Sequence, residues 1–126
     1  MPKFVKSSPE LVARFDAAAA RFPEAERRKM FGYPAAFANG NLFIGLHQND
    51  FIMRLSEQDR ARFSAEFGER IFEPMAGRPM REYVRLPEEL LTDPRKRASW
   101  INLSLRYAET IAPKAKSARG KPLSNR

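Results

Sequence analysis

The sequence predicts an α+β domain, with a single antiparallel five-stranded sheet, helices packed on one face, and the element order α-β-β-β-α-β-β-α. Three observations lead to this prediction. Apolar residues recur at helical spacing in three segments, and they alternate with other residues in the segments between. The pair Asn39-Gly40 is a strong hairpin signal, because both turn positions favour a positive φ. Strands joined by short turns, with helices to one side, are typical of α+β architecture.

The first helix is predicted to begin at Ser7 or Ser8, because a serine side chain accepts hydrogen bonds from the free amides of a first helical turn. Pro23 ends this helix. Its apolar stripe consists of Leu11, Phe15, Ala19 and Phe22. The next three predicted strands cover residues 30–38, 42–47 and 51–55. Pro34 interrupts the first of them, which indicates an edge or a bulge.

The second helix is predicted to open at Ser56, which with Asp59 resembles a capping box, and to close at Gly68. The fourth and fifth strands cover residues 70–73 and 80–86. Asp93-Pro94 begins the last and longest helix, which ends before Pro113. The apolar stripe of that helix consists of Trp100, Leu103, Tyr107 and Ile111.

Alternation along the strands assigns the two faces of the sheet. The residues predicted to face the helices include Phe51, Met53, Leu55, Val84 and Leu86. The open face and the arginine-rich segment form the candidate interaction surface, which consists of Phe43, Ile52, Arg54, Arg78, Arg81, Tyr83 and Arg85. Arginine beside exposed tyrosine is typical of nucleic-acid surfaces and of protein interfaces. A solvated strand with long side chains has the same composition.

Composition excludes several classes of site. The chain has 126 residues, of which 43% are hydrophobic and 30% charged, as in one globular domain. It has no cysteine and only one histidine, His47, so we expect no disulfide, metal site or cofactor. We also expect a cytoplasmic address, because no apolar run reaches membrane-spanning length and no signal peptide precedes the domain.

Catalytic motifs do not stand out. His47 lies beside a predicted hairpin turn and has no obvious nucleophile partner. The pair Glu88-Glu89 is interpreted as the acidic start of a helix rather than a catalytic pair, because neighbours in sequence on a helix point apart. No glycine-rich phosphate loop occurs. The sequence therefore predicts a non-enzymatic protein.

The net charge of +8 is unevenly distributed. Residues 112–126 contain five basic and no acidic residues, whereas residues 1–111 contain 18 basic and 15 acidic residues. We therefore predict an α+β domain over 1–111 and a disordered basic tail over 112–126. Such a tail either attracts polyanions or only aids solubility.

Several segments together resemble the TfoX N-terminal-like family. They are Arg28-Lys29-Met30-Phe31-Gly32, residues 37–43, Arg54-Leu55, residues 72–75, residues 77–83, and Leu86-Pro87-Glu88 before Asp93-Pro94. The resemblance runs from about residue 9 to residue 113. It implies an antiparallel α+β fold and no catalytic residues, because named members are accessory factors in the transcription of competence genes.

These observations together predict a small binding module with a regulatory or adaptor role. The expected partner is another protein or a second copy of the chain. The alternative is weak binding of nucleic acid by the basic tail and the strand that carries Arg81, Tyr83 and Arg85.

Overall fold

The structure, a computed structural model, describes residues 5–113. Its elements are α1 (Pro9–Ala20), β1 (Glu26–Met30), β2 (Tyr33–Ala38), β3 (Asn41–His47), β4 (Asp50–Arg54), α2 (Glu57–Phe67), β5 (Ile71–Met75), β6 (Arg78–Arg85), α3 (Glu88–Leu91) and α4 (Pro94–Thr110). The predicted disordered tail, apart from residues 112 and 113, lies outside the described residues.

The α+β class is confirmed, but the sheet has six strands rather than five. Its order is β1-β2-β3-β4-β6-β5, and all neighbours are antiparallel. The predicted first strand is in fact two strands, because Phe31 and Gly32 form a turn with φ of 54° and 86°. The sequence did not indicate β1 because its charged residues show no apolar alternation. Asn39-Gly40 forms the predicted turn, with φ of 53° and 77°.

Three helices begin where the sequence indicates, each behind a capping side chain. Ser8 accepts a hydrogen bond from the amide of Leu11, Ser56 from that of Asp59, and Asp93 from that of Lys96. These caps satisfy backbone donors that a helix leaves unpaired at its start. Within residues 5–113, no helix is both long enough and apolar enough to cross a bilayer.

The main core lies between the helices and one face of the sheet, and α4 presents a different stripe to it than predicted. The buried residues of α4 are Arg97, Trp100, Ile101, Ser104, Leu105 and Ala108, so only Trp100 belongs to both sets. The small Ser104 lets α4 approach β3, and its hydroxyl donates to the carbonyl of Phe43 at 3.1 Å. Arg97 donates to the carbonyl of Leu91 at 3.0 Å, at the end of α3. Hydrogen-bonded polar side chains therefore occupy buried positions of α4, and a search for apolar residues at helical spacing does not predict their burial.

Phe43 was predicted to lie on the open face, and this prediction is wrong. The side chain is fully buried in the main core. Ala36 pairs with Ile44 while Phe37 pairs with Leu42, so Phe43 is the extra residue of a β-bulge. A bulge interrupts the alternation of a strand. It turns Phe43 towards the helices and leaves Leu42 in the apolar cluster of the open face.

Candidate interaction surface

The open face of the sheet carries a second, smaller apolar cluster. Its members are Ala35, Phe37, Leu42, Ile52, Phe72 and Tyr83. Ile52 and Tyr83 thus lie on the face that the sequence predicts. However, they are buried rather than exposed.

The cover over this cluster comes from the hairpin of β5 and β6. The ring of Phe72 in β5 lies 5.2 Å from the ring of His47 in β3, although β4 and β6 separate these strands in the sheet. The pairing of β5 with β6 is irregular on both sides of Phe72. Irregular pairing bends and twists a strand strongly. The β5–β6 hairpin therefore curls over the open face.

A small apolar cavity, which we call the open-face groove, remains between this hairpin and the β1–β2 turn. Its volume is about 170 Å³. It is lined by Met30, Phe31, Tyr33, Ala35, Leu42, Gly45, Leu46, His47, Ile52, Phe72, Pro74 and Met80. Gly45 contributes space to it, since a Cβ there would meet the Ala35 Cβ at an ordinary distance of 3.5 Å.

Exposed apolar side chains stand at the rim of the open-face groove. Phe31 is 86% exposed at the tip of the β1–β2 turn, and Met80 is 38% exposed on β6. Met75, at the end of β5, is 63% exposed but does not line the groove. Large exposed apolar residues around a concave apolar floor are typical of a binding surface.

His47 belongs to the wall of this groove. Its ring lies 5.5 Å from that of Tyr33 and 5.2 Å from that of Phe72. The sequence indicated a solvated turn histidine, because His47 precedes the turn at Gln48. The neighbour Phe72 comes from a distant strand, and local sequence carries no signal for that contact.

Arg54 has a structural partner rather than a free position on the open face. Its Nε donates to Oε1 of Glu82 at 2.7 Å, and the Tyr107 hydroxyl donates to Oε2 of the same carboxylate at 3.2 Å. Burial acts to raise the pKa of Glu82, but the hydrogen bond and charge of Arg54, with the Tyr107 hydrogen bond, outweigh it. The pKa of Glu82 therefore lies below its ordinary value of 4.5. This network ties β4 and β6 to α4.

The remaining arginines of the candidate surface occupy different environments. Arg78 and Arg81 are exposed, and neither forms an ion pair within residues 5–113. Arg85 is half-buried and pairs with Ile52 in the sheet. Its carbonyl accepts a hydrogen bond from Nε of Arg70 at 2.8 Å. The structure thus brings together only part of the predicted surface.

The sequence model of the TfoX N-terminal domain matches residues 5–108. The chain belongs to the TfoX N-terminal domain family. No curated protein matches the chain. The matched region includes the whole open-face groove and the Arg54–Glu82–Tyr107 network, so both are parts of the TfoX N-terminal domain.

The sequence of this TfoX N-terminal domain does not by itself indicate that Phe31, Phe72 and Met80 line a groove. One local signal was present for Phe31. A residue before glycine between two strand-like segments fits a two-residue turn, as Asn39-Gly40 does. The predicted first strand nevertheless runs through Phe31-Gly32.

Proposed function

We propose that this TfoX N-terminal domain is a non-enzymatic protein-binding module with a regulatory or adaptor role, and that its open-face groove holds an apolar side chain of the partner. The observation that carries the proposal is the position of Phe31.

Phe31 is unfavourable for the isolated domain. Its φ of 54° is left-handed, which costs about 1–2 kcal/mol for a residue with a Cβ. Its ring, 86% exposed, gains little burial within its own fold. Burial of such a ring by a partner would contribute about 1.5–3 kcal/mol. A binding role therefore accounts for a side chain that the fold does not use.

The groove is better suited to a side chain than to a metabolite. Its volume of about 170 Å³ is below the range of about 300–1,000 Å³ that is typical of small-molecule sites. Its lining is almost entirely apolar, with His47 as the one imidazole. A partner that inserts one apolar residue and packs around Phe31 and Met80 would match these dimensions.

The test is a selection of random displayed peptides on the full wild-type chain. We expect the selected peptides to share a large apolar residue. We expect their affinity to fall about tenfold, a loss of about 1.4 kcal/mol, on Phe31→Asn and on Met80→Gln. The matched control is Met75→Gln, which removes an exposed methionine outside the groove and should leave affinity unchanged.

Two outcomes would contradict the proposal. One is a set of selected peptides that bind Phe31→Asn as tightly as the wild type. The other is equal loss of affinity in Met75→Gln and Met80→Gln, which would indicate general stickiness. Light scattering across concentrations adds a further distinction, because association abolished by Phe31→Asn would identify the partner as a second copy.

Weak nucleic-acid binding is the second candidate, and it is favoured by Arg78 and Arg81, which are exposed and form no ion pair among the described residues. We rank it lower because the Tyr83 ring is buried and cannot serve as a stacking platform. A labelled duplex titrated at two salt concentrations tests it. Each phosphate contact should add about −0.9 to the slope of log affinity against log salt. Arg78→Gln with Arg81→Gln, compared with removal of residues 114–126, would separate the two basic regions.

A further inference from the structure

The outer strand β1 has an edge with no partner among the described elements. It pairs only with β2, and four of its five residues are exposed. Met30 and Tyr33 flank the two-residue turn and so form the hydrogen-bonded pair that closes the hairpin. Alternation along β1 then directs the backbone groups of Arg27 and Lys29 away from β2. No other described element forms a backbone hydrogen bond with either residue.

A large cleft of the described chain includes Arg27, Arg28 and Lys29 of β1 in its lining. Its volume is about 580 Å³. One wall is β1 with the β1–β2 turn and the first residues of β2, which include Pro34 and Ala35, and the other includes Lys6 and Ser7 with part of α1. The N-terminal segment is held in place because Ser7 Oγ donates to the carbonyl of Gln48 at 2.5 Å, and the Tyr33 hydroxyl donates to that of Val5. The wall that Lys6 and Ser7 form beside β1 is therefore fixed to the rest of the fold.

The cleft is strongly basic. Lys6, Arg27, Arg28 and Lys29 line it, and Asp16 is its only acidic residue. Arg27 pairs with Asp16 at 2.6 Å, on the helix side of the sheet. Arg28 lies on the opposite side, with its guanidinium 4.0 Å from the centre of the Phe37 ring and its Nε 3.7 Å from Oε2 of Glu26. Lys6 and Lys29 form no ion pair among the described residues, so the net charge along the free edge stays positive.

This charge disfavours pairing of β1 with a second copy of itself. An antiparallel pair centred on Arg28 would place the two Arg28 residues opposite each other. It would also place Arg27 opposite Lys29 of the second copy. Like charges directly opposite each other destabilise a strand pair, and charged edges are a recognised protection against self-association. The same positive charges attract a strand that carries acidic side chains.

We propose that the β1 edge binds an extended acidic segment of another protein as an additional strand. Successive side chains of that segment would point to opposite faces. Acidic residues at alternate positions would approach Lys6, Arg27 and Lys29, and apolar residues between them would lie beside Met30 and the stem of Arg28. Main-chain hydrogen bonds supply affinity in this mode of recognition, and side chains supply specificity. A nucleic acid fits less well, because the outward carbonyls of β1 would face its phosphates.

The test titrates a labelled peptide of alternating glutamate and valine into the full chain at low ionic strength. The control peptide has glutamine in place of glutamate. We expect the glutamate peptide to bind at least about tenfold more tightly, equivalent to about 1.4 kcal/mol. We also expect slower hydrogen exchange at the amides of Arg27 and Lys29 in the complex. Equal binding of both peptides would overturn the proposal.

Variants of Lys29 separate the contribution of side-chain charge to binding from that of backbone hydrogen bonds. Lys29→Glu should lower peptide affinity about tenfold, whereas Arg95→Glu, the same change of charge at the start of α4, should have little effect. Lys29→Pro removes the outward N–H at a position that does not bond to β2, and an edge strand tolerates proline there. It should weaken binding clearly more than Lys29→Gln does.

Equal affinities of Lys29→Pro and Lys29→Gln would contradict strand addition. If, in addition, a DNA duplex binds more tightly than the peptide and is unaffected by Lys29→Pro, the cleft is a polyanion site. Met80 lines the open-face groove but not the cleft beside β1, so Met80→Gln should bind the acidic peptide as the wild type does.

Discussion

The two faces of the sheet carry similar apolar side chains, but they are covered in different ways. On the helix face, Phe43, Ile44 and Met53 have no exposed surface, because helices close over them. On the open face, the cover consists of the curled β5–β6 hairpin and of single side chains such as Arg28, which lies over the Phe37 ring, and the open-face groove remains beside the hairpin. The difference teaches that apolar residues on a strand do not by themselves indicate whether a face is core or interface. The element that packs over a face decides whether that face is core or interface.

Truncation of Phe43 is expected to have the largest effect among the tests that compare the two faces. We expect Phe43→Ala to lower the free energy of unfolding by about 3–5 kcal/mol, because it leaves a cavity in a core without exposed surface. Chemical denaturation measures the change. A loss below about 1 kcal/mol would be typical of a surface site and would return Phe43 to the open face.

A matched pair of isoleucines sharpens the comparison. Ile44 and Ile52 lie on the neighbouring strands β3 and β4, but they belong to the two different clusters. We expect Ile44→Ala to cost about 4 kcal/mol and Ile52→Ala about 2 kcal/mol, because the thinner cover can relax around the smaller side chain. Denaturation midpoints of both variants, measured side by side, test this. The reverse order would mean that the open face is the tighter core.

The same contrast explains which features the sequence predicts well. Caps such as Ser8, Ser56 and Asp93 are local, and so is the Asn39-Gly40 turn, because their chemistry depends on neighbours a few residues away. The placement of Phe43 depends on a bulge that appears only when β2 and β3 pair. The burial of Ile52 depends on a hairpin that begins at Ile71, 19 residues later in the chain.

The candidate site was predictable to the same limited extent. Alternation assigned Ile52 and Tyr83 to the correct face, but local pattern contains no information on the curl that buries them. The exposure of Arg78 and Arg81 agrees with the prediction from the sequence, because a polar hairpin needs no long-range partner. Arg54 could not be assigned, since Glu82 and Tyr107 come from other elements.

A smaller effect is expected at the rim of the two faces, where Glu82 joins Arg54 and Tyr107. The pKa of Glu82 is lowered in the folded state, so its contribution is present above about pH 4.5 and is lost as the pH falls through the folded value. Because both groups are partly exposed, we expect Glu82→Gln to cost about 0.5–1 kcal/mol at neutral pH. The cost should vanish in acid.

Unfolding curves recorded at neutral and acidic pH measure this difference. Glu73→Gln is a suitable control, because that carboxylate accepts a hydrogen bond only from the amide of Gly77 among the described residues. A difference between wild type and Glu82→Gln that stays constant with pH would show that the network does not stabilise the folded state through charge.

The most direct test of the account uses Phe31→Asn and measures stability and peptide binding on the same protein. Asparagine adopts the left-handed backbone more readily and suits this turn, so we expect the free energy of unfolding to rise by about 0.5 kcal/mol. We expect affinity for groove-selected peptides to fall about tenfold. A loss of stability with unchanged affinity would show that Phe31 serves the fold, and would contradict the assignment of the open face as a binding surface.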